Sequence, residues 1–222
     1  MKELFRFLSG LEQNNNREWF SEHKDEYMRL KVRFEDNISH LLSLISTYDN
    51  ELKNITAKDC TYRIYRDIRF SPDKTPYKTH ISAFMTKHGR KLNRAGYYLQ
   101  LQSGKSMLCG GLWFPDAPLL KALRRAVYDN ADELMGIMRR SEMQRLYPDF
   151  DYESSLKKIP SGFSADFPYP DLLKLKNFGV MYKVTDDYFY DKDWVEKVAN
   201  DFRPIKEMND FLNYTVDELN NR

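Results

Sequence analysis

The feature that most constrains the fold is an apolar stripe near the N-terminus that repeats with the period of an α-helix. Its members are Trp19, His23, Tyr27, Leu30, Phe34, Ile38, Leu41, Ile45 and Tyr48. Eight steps cover 29 residues, and the average step of about 3.6 residues is the helical period. Asn15, followed by Glu18 three residues later, is typical of a helix N-cap. The sequence therefore predicts one helix of about 30 residues, about 45 Å long, with His23 as a packed histidine in its stripe.

The segment from residue 60 to residue 112 is rich in β-branched and aromatic residues and is predicted to form strands. The four candidate strands read CTYRIYRDIRF, HISAFMTK, GYYLQLQ and SMLCGGLWF, and FGVMYKVT at 178–185 is a fifth. The first four are joined by short connections, which favour antiparallel pairing.

Helical signals return after the strands. Capping residues at Asp116, Asn130 and Asp193 and a first-turn Pro204 each predict the start of a helix. The chain has no internal repeat and no clean linker. The predicted fold class is α+β, with a mainly antiparallel sheet of about five strands (60–112 and 178–185) packed against the long N-terminal helix and C-terminal helices. A single domain over residues 1–222 is predicted.

Positive charge is concentrated in one part of the chain. The formal net charge is only +2, but the segment from Cys60 to Ala95 holds nine Lys and Arg residues against two acids. That segment is therefore +7 and the rest of the chain, by subtraction, is −5. Its most basic part, RIYRDIRFSPDKTPYKTH at 63–80, contains the turn sequence SPDK and is predicted to be a β-hairpin. Such a local field favours anionic ligands.

One arginine of this hairpin is predicted to need a partner. The two-residue period of a strand places Arg66 among Tyr62, Ile64, Ile68 and Phe70 on the apolar face. A buried guanidinium without a counter-charge is costly, so a protein carboxylate or a bound anionic ligand must meet it. The sequence leaves both alternatives open.

The candidate ligand-binding residues share positive charge or an aromatic ring; they are Arg63, Arg66, Arg69, Lys74, Tyr77, Lys78 and Trp113. The expected pocket lies between the hairpin, the helix start near Arg17 and Trp19, and the Gly110–Gly111 pair, whose missing side chains would let backbone approach a ligand.

Two residues of the hairpin are weak candidates for catalysis. If the protein is an enzyme, His80 is the candidate acid or base, and Asp67 its orienting partner or an alternative base. The sequence does not decide whether the protein is an enzyme.

Several common classes are not indicated. No cofactor is predicted, because there is no dinucleotide fingerprint, and SGKS at 103–106 lacks the first glycine of a phosphate loop. No metal site is predicted, because no cluster has zinc-ligand spacing. No apolar stretch approaches the about 20 residues of a membrane span. Cys60 and Cys109, the only cysteines, are predicted to be reduced and mostly buried thiols of a cytoplasmic protein.

Six blocks of the sequence carry a family resemblance. They are NNNREWF, RDIRFSPDKTPYKTH, GYYLQL, GGLWFP, PSGF and LLKLKNF, in this order. Together they resemble the uncharacterised bacterial and fungal family catalogued as domain of unknown function 2461. The resemblance spans essentially the whole chain and implies a single-domain soluble protein, with no activity, cofactor or catalytic residue to carry over.

Three functions remain as hypotheses. The first is binding of a small phosphate-bearing or carboxylate anion at the basic hairpin, with or without catalysis. The second is single-stranded nucleic-acid binding, since four aromatic residues lie among the cations: Tyr62, Tyr65, Phe70 and Tyr77. The third is a protein-interaction or structural role without chemistry, in which the acidic remainder of the chain contacts basic partners.

Overall fold

The apolar stripe forms two successive helices in the computed structural model, which describes residues 1–91 and 93–220. Helix α1 spans Lys2–Gln13, α2 spans Arg17–Glu22, and α3 spans Lys24–Ile45. The prediction of one continuous helix of about 30 residues is therefore wrong in one respect, because the helix is interrupted at His23.

The interruption has a local cause. The His23 backbone has φ −103° and ψ 14°, outside the helical range. Its ring Nδ1 lies 2.8 Å from the Trp19 carbonyl oxygen, to which it must donate, and the His23 backbone N–H donates to the same oxygen. The imidazole also stacks on the Trp19 indole, with centroids 3.9 Å apart. A side chain that competes for a carbonyl of the preceding turn disturbs the helix at that point.

The sheet has four strands among the described residues, not the five that were predicted. They are β1 (Ile81–Met85), β2 (Gly96–Leu101), β3 (Ser106–Leu112) and β4 (Phe178–Val184). They form one open antiparallel sheet in the order β1-β2-β3-β4.

The missing strand is the first half of the basic hairpin. Residues 61–77 make two isolated antiparallel bridges, Thr61 to Ala83 and Tyr65 to Tyr77. Four positions separate Thr61 from Tyr65 but six separate Tyr77 from Ala83, so the two bridges cannot belong to one regular ladder. Pro76 also lacks the N–H that would extend the pairing toward the hairpin tip. The prediction of a buried apolar face on this strand is also wrong for Phe70, whose side chain is 95% exposed.

Seven more α-helices lie among the described residues, and four of them begin directly after Asp116, Asn130, Asp193 and Pro204, where the sequence predicted helix starts. They are α4 (Ala57–Cys60), α5 (Ala117–Asp129), α6 (Ala131–Met138), α7 (Ser141–Leu146), α8 (Pro170–Lys174), α9 (Trp194–Phe202) and α10 (Ile205–Asn220). Ten α-helices and one antiparallel sheet within the described residues make the fold α+β, as predicted. None of these helices has both the length and the apolar character needed to cross a membrane.

The chain divides into two compact units. The first comprises Met1–Arg90, Tyr98–Leu108 and Lys183–Asn200, and Phe34, Ile38 and Leu41 are fully buried in it. The second comprises Lys91–Tyr97, Cys109–Tyr182 and Asp201–Arg222, and its buried Arg94 pairs with Asp217. The single domain over 1–222 stays a prediction.

Candidate anion-binding groove

The basic hairpin belongs to the first unit and has an ordered backbone despite its lack of regular strands. The Arg66 N–H donates to the Pro76 carbonyl at 2.9 Å, and the Lys78 N–H donates to the Ile64 carbonyl at 2.8 Å. These bonds flank the bridge between Tyr65 and Tyr77. The two arms of the hairpin therefore run antiparallel, as predicted, and the residues between them form its tip.

Arg66 is neutralised within its own loop. Its guanidinium donates to the Asp73 carboxylate, to the Thr75 hydroxyl and, at 3.2 Å, to the Thr75 carbonyl. The Thr75 backbone N–H and the Arg66 guanidinium lower the pKa of Asp73 to about 2. The sequence left open whether the partner of Arg66 is a protein carboxylate or a ligand, and the structure pairs it with the Asp73 carboxylate. This pairing fixes the shape of the hairpin tip.

A side chain from the N-terminal region joins the hairpin to helix α2. The Asn15 Oδ1 accepts the Tyr77 backbone N–H at 3.1 Å, and its Nδ2 donates to the Tyr77 carbonyl at 2.9 Å. The N-cap of α2 is instead Asn16, whose side chain accepts the Trp19 N–H at 2.9 Å. The prediction of Asn15 as the N-cap is wrong by one residue. Asn15 holds the hairpin against the start of the helix.

An open groove of about 430 Å³ lies between the hairpin and the segment that contains α2 and the start of α3. Its lining residues are Arg17, Phe20, Ser21, Lys24, Tyr65, Arg66, Ile68, Pro76 and Tyr77. Arg17, Phe20 and Ser21 have the spacing i, i+3, i+4, which places them on one face of α2, and Lys24 is the first residue of α3. The other five come from the two arms of the hairpin. The hydrogen bonds between Asn15, which precedes α2, and the Tyr77 backbone join these two walls.

The floor of the groove is aromatic. Phe20 and Tyr77 are buried and stack with centroids 4.0 Å apart and an interplanar angle of 17°. Tyr65 meets Phe20 edge-on at 5.9 Å and lies 5.4 Å from Tyr77, yet remains 47% exposed. The three rings fix one another, and the Tyr65 ring forms the accessible part of this cluster.

The charges that line the groove are all positive. Arg17, Lys24 and Arg66 are the charged lining residues, and the lining contains no Asp or Glu. Arg17 and Lys24 are exposed, and neither has an ion pair or hydrogen-bonded side-chain partner among the residues that the structure describes. Because Arg66 is already paired with Asp73, the uncompensated charge of the groove comes mainly from α2 and α3.

Four of the hairpin residues predicted to bind ligand do not line this groove. Arg69 forms a bidentate pair with Asp67, with Nε to Oδ1 at 3.0 Å and Nη2 to Oδ2 at 2.7 Å. Lys74 donates to the Ile68 carbonyl at 3.0 Å. The Lys78 ammonium lies 5.1 Å from the centroid of the Tyr62 ring, and Arg63 is exposed. Arg66 and Tyr77 are the hairpin candidates that the structure brings to the groove.

The catalytic candidates His80 and Asp67 are not joined by a hydrogen bond in the described part of the chain. Pairing with Arg69 lowers the pKa of Asp67, which makes it a weaker base. Burial and the nearby Lys78 charge lower the pKa of His80 from 6.5 to about 4. At neutral pH the His80 imidazole is therefore uncharged.

The low pKa of His80 predicts a pH-dependent stability. The unfolded chain takes up a proton at this residue below about pH 6.5, whereas the native state resists protonation until about pH 4. The free energy of unfolding should therefore fall as pH is lowered through this window, by on the order of 3 kcal/mol. Urea denaturation at several pH values should show a flatter profile for His80→Gln. The exposed His88 provides the matched control, and His88→Gln should keep the wild-type profile. Equal profiles for all three proteins would contradict the assignment.

Gly110, Gly111 and Trp113, which were predicted at the pocket, belong to the second unit. A Cβ on Gly110 would lie 2.2 Å from an Ile205 methyl, and one on Gly111 would lie 2.0 Å from the Phe178 carbonyl oxygen. The space that these glycines leave is thus occupied by the protein's own atoms, contrary to the expectation of a ligand there. Trp113 is 51% exposed and makes an edge contact with Phe114. Trp19, expected near the pocket, stacks on His23 instead of lining the groove.

Comparison with known proteins gives the family. The sequence profile of the conserved hypothetical proteins of DUF2461 matches residues 3–211. The chain belongs to the DUF2461 family. No curated protein and no solved structure matches this DUF2461 chain. Among its described residues, no group of three or more His, Cys, Asp or Glu side chains is placed to hold a metal ion.

Proposed function

We propose that the protein binds a small organic anion, phosphate-bearing or carboxylate, in the groove between α2, the start of α3 and the basic hairpin. One observation carries the proposal: three cationic side chains line a groove whose lining contains no carboxylate. Guanidinium groups suit bidentate contacts with phosphate or carboxylate, and an ammonium adds a compact positive charge.

The groove is organised before any ligand arrives. Asn15 fixes the backbone of Tyr77, and the pairing of Arg66 with Asp73 fixes the hairpin tip. A site that is already ordered loses less conformational entropy on binding. Its volume of about 430 Å³ also lies within the range of small-molecule sites. The aromatic floor excludes water from one side, which strengthens charge interactions at the surface of the floor.

The other functions remain alternatives. Binding of single-stranded nucleic acid would use the same cations and rings and would weaken steeply with salt. A protein-interaction role without chemistry needs no occupant in the groove. Catalysis by His80 or Asp67 stays a prediction, and neither lines the groove. Cytoplasmic localisation also stays a prediction, supported by two free cysteines that form no disulfide.

Thermal-shift measurements with phosphate, pyrophosphate and citrate test the proposal. A ligand at a hundredfold excess over its Kd stabilises the native state by about 2.7 kcal/mol, which raises Tm by about 5–10 °C for a chain of this size. Arg17→Ala removes an exposed cation that has no ion pair among the described residues, and it should weaken binding by about 10- to 100-fold.

The matched control is Arg69→Ala, which removes an exposed arginine of the hairpin that lies outside the groove. This variant should bind the anion as the wild type does. The proposal fails if none of the anions raises Tm, or if Arg69→Ala weakens binding as much as Arg17→Ala does.

A further inference from the structure

We infer that the anion carries a planar aromatic ring, so that the ligand is an aryl or nucleoside phosphate. This inference rests on the proposed function and names the ligand class of the same groove. It starts from the lining, which combines three cations with three aromatic rings and two apolar side chains, Ile68 and Pro76. A bare inorganic anion would use the cations and leave the rest of this surface in water.

The Tyr65 ring is the platform on which the ligand ring stacks. It is 47% exposed, although its neighbours Phe20 and Tyr77 are buried. Edge contact with Phe20 at 64° and a tilted contact with Tyr77 at 53° set its orientation. A ring held in place while exposed offers stacking at little entropic cost, because its rotamer is already fixed.

The cations lie where a phosphate beside such a ring would need them. Arg66 follows Tyr65 directly in the chain, and both line the groove. On the facing wall, Arg17 is the first residue of α2 and Lys24 is the first residue of α3, with Phe20 and Ser21 between them in the chain. The positive charge without an ion pair among the described residues thus lies on the wall formed by α2 and α3, whereas Arg66 beside the ring is paired with Asp73. A ligand with an aromatic part and an anionic part matches this arrangement better than either part alone.

Titration calorimetry with three phosphates tests the inference. Phenyl phosphate and glycerol 1-phosphate carry the same phosphate monoester and differ in the ring, and inorganic phosphate measures the anion contribution alone. The wild type should bind phenyl phosphate about tenfold more tightly than glycerol 1-phosphate, since stacking of a ring on an aromatic side chain has an effect of this size.

Tyr65→Leu removes the platform while keeping apolar volume. It should bring the two phosphate monoesters to within about twofold of each other. Phe70→Leu is the matched control, because Phe70 is an exposed ring of the same hairpin that does not line the groove. That variant should retain the preference for phenyl phosphate.

The outcomes separate the two proposals. If neither the three phosphates nor citrate binds, the proposed function fails. If citrate binds and none of the phosphates does, the anion site stands and the inference of an aryl or nucleoside phosphate is overturned. If phenyl phosphate and glycerol 1-phosphate bind equally to the wild type, the anion site stands and the inference of an aromatic ligand is overturned. If phenyl phosphate binds more tightly, thymidine monophosphate and an oligothymidylate distinguish the two possible sources of an aromatic phosphate, a free nucleotide and a nucleic-acid strand. Tighter, steeply salt-dependent binding of the oligomer assigns them to a nucleic-acid strand, and equal binding assigns them to a free nucleotide.

Discussion

Replacement of Gly111 by alanine is expected to destabilise the protein by about 3–5 kcal/mol. Gly111 has φ +98°, a conformation that L side chains rarely adopt. The added Cβ would also lie 2.0 Å from the Phe178 carbonyl oxygen and 3.0 Å from the Gly179 Cα. Both obstructing atoms belong to the backbone of β4, so a side-chain rotation cannot relieve the overlap. Urea denaturation of the purified variant measures the loss.

Two other glycines separate the contributions. Gly104 has φ +67° but an open environment, so Gly104→Ala reports backbone strain alone, about 1–2 kcal/mol. The three atoms nearest to a Cβ on Gly110 belong to the Ile205 side chain and not to the backbone, and Gly110 does not have a positive φ, so Gly110→Ala should cost less than Gly111→Ala. A loss at Gly111 no larger than the loss at Gly104 would show that β4 can move aside.

Replacement of Asn15 by alanine is expected to cost about 2–4 kcal/mol and to weaken anion binding. The variant leaves the Tyr77 N–H and carbonyl without their partners, and each unsatisfied buried group costs about 1–3 kcal/mol. Because Tyr77 also forms the floor of the groove, loss of the clamp should loosen the groove. Urea denaturation and calorimetry with the same anion measure the two effects.

The neighbouring asparagines are matched controls for this effect. Asn14→Ala removes an exposed hydrogen bond to the Gly10 carbonyl and should have little effect. Asn16→Ala removes the N-cap of α2 and should cost about 1 kcal/mol. If Asn15→Ala were no more destabilising than Asn16→Ala, the attachment of the hairpin would have to lie elsewhere.

Periodic patterns in the sequence located most of the regular elements. HISAFMTK contains β1, GYYLQLQ contains β2, SMLCGGLWF contains β3, and FGVMYKVT contains β4. The helical stripe is also present, because Phe34, Ile38 and Leu41 occur at helical spacing and are buried. These elements are predictable because burial of one face imposes a period on the residues themselves.

The errors fall where a contact between distant or irregular segments decides the structure. CTYRIYRDIRF has the alternation of a strand, but alternation does not record the register shift between its two bridges. Likewise, helical spacing does not reveal that the His23 ring competes for the Trp19 carbonyl. Both features depend on side-chain or register geometry that a hydrophobic period does not encode.

The candidate site was only partly predictable. The sequence indicated the charge of the hairpin and the nearby Arg17, but not the pairing of Arg66 with Asp73 or the contribution of Lys24. A signal for Lys24 was present, because its spacing from Arg17, Phe20 and Ser21 fits one face of the continuous helix that the sequence predicts, although the helix is interrupted at His23. What the sequence could not supply was the segment that this face meets, which depends on the Asn15 contact with Tyr77, 62 residues away.

The composition of the groove lining makes it possible to identify the acidic group of the ligand from the pH dependence of binding. It includes neither a histidine nor a carboxylate, so its own charge does not change in mildly acidic solution. A phosphate monoester gains its second negative charge near pH 6, whereas a carboxylic acid ionises about two pH units lower. An affinity that strengthens between about pH 5 and pH 7 would therefore follow the second ionisation of a phosphate monoester and would indicate a phosphate-bearing ligand. The pH dependence of binding would then distinguish a phosphate from a carboxylate ligand before the ligand itself is isolated.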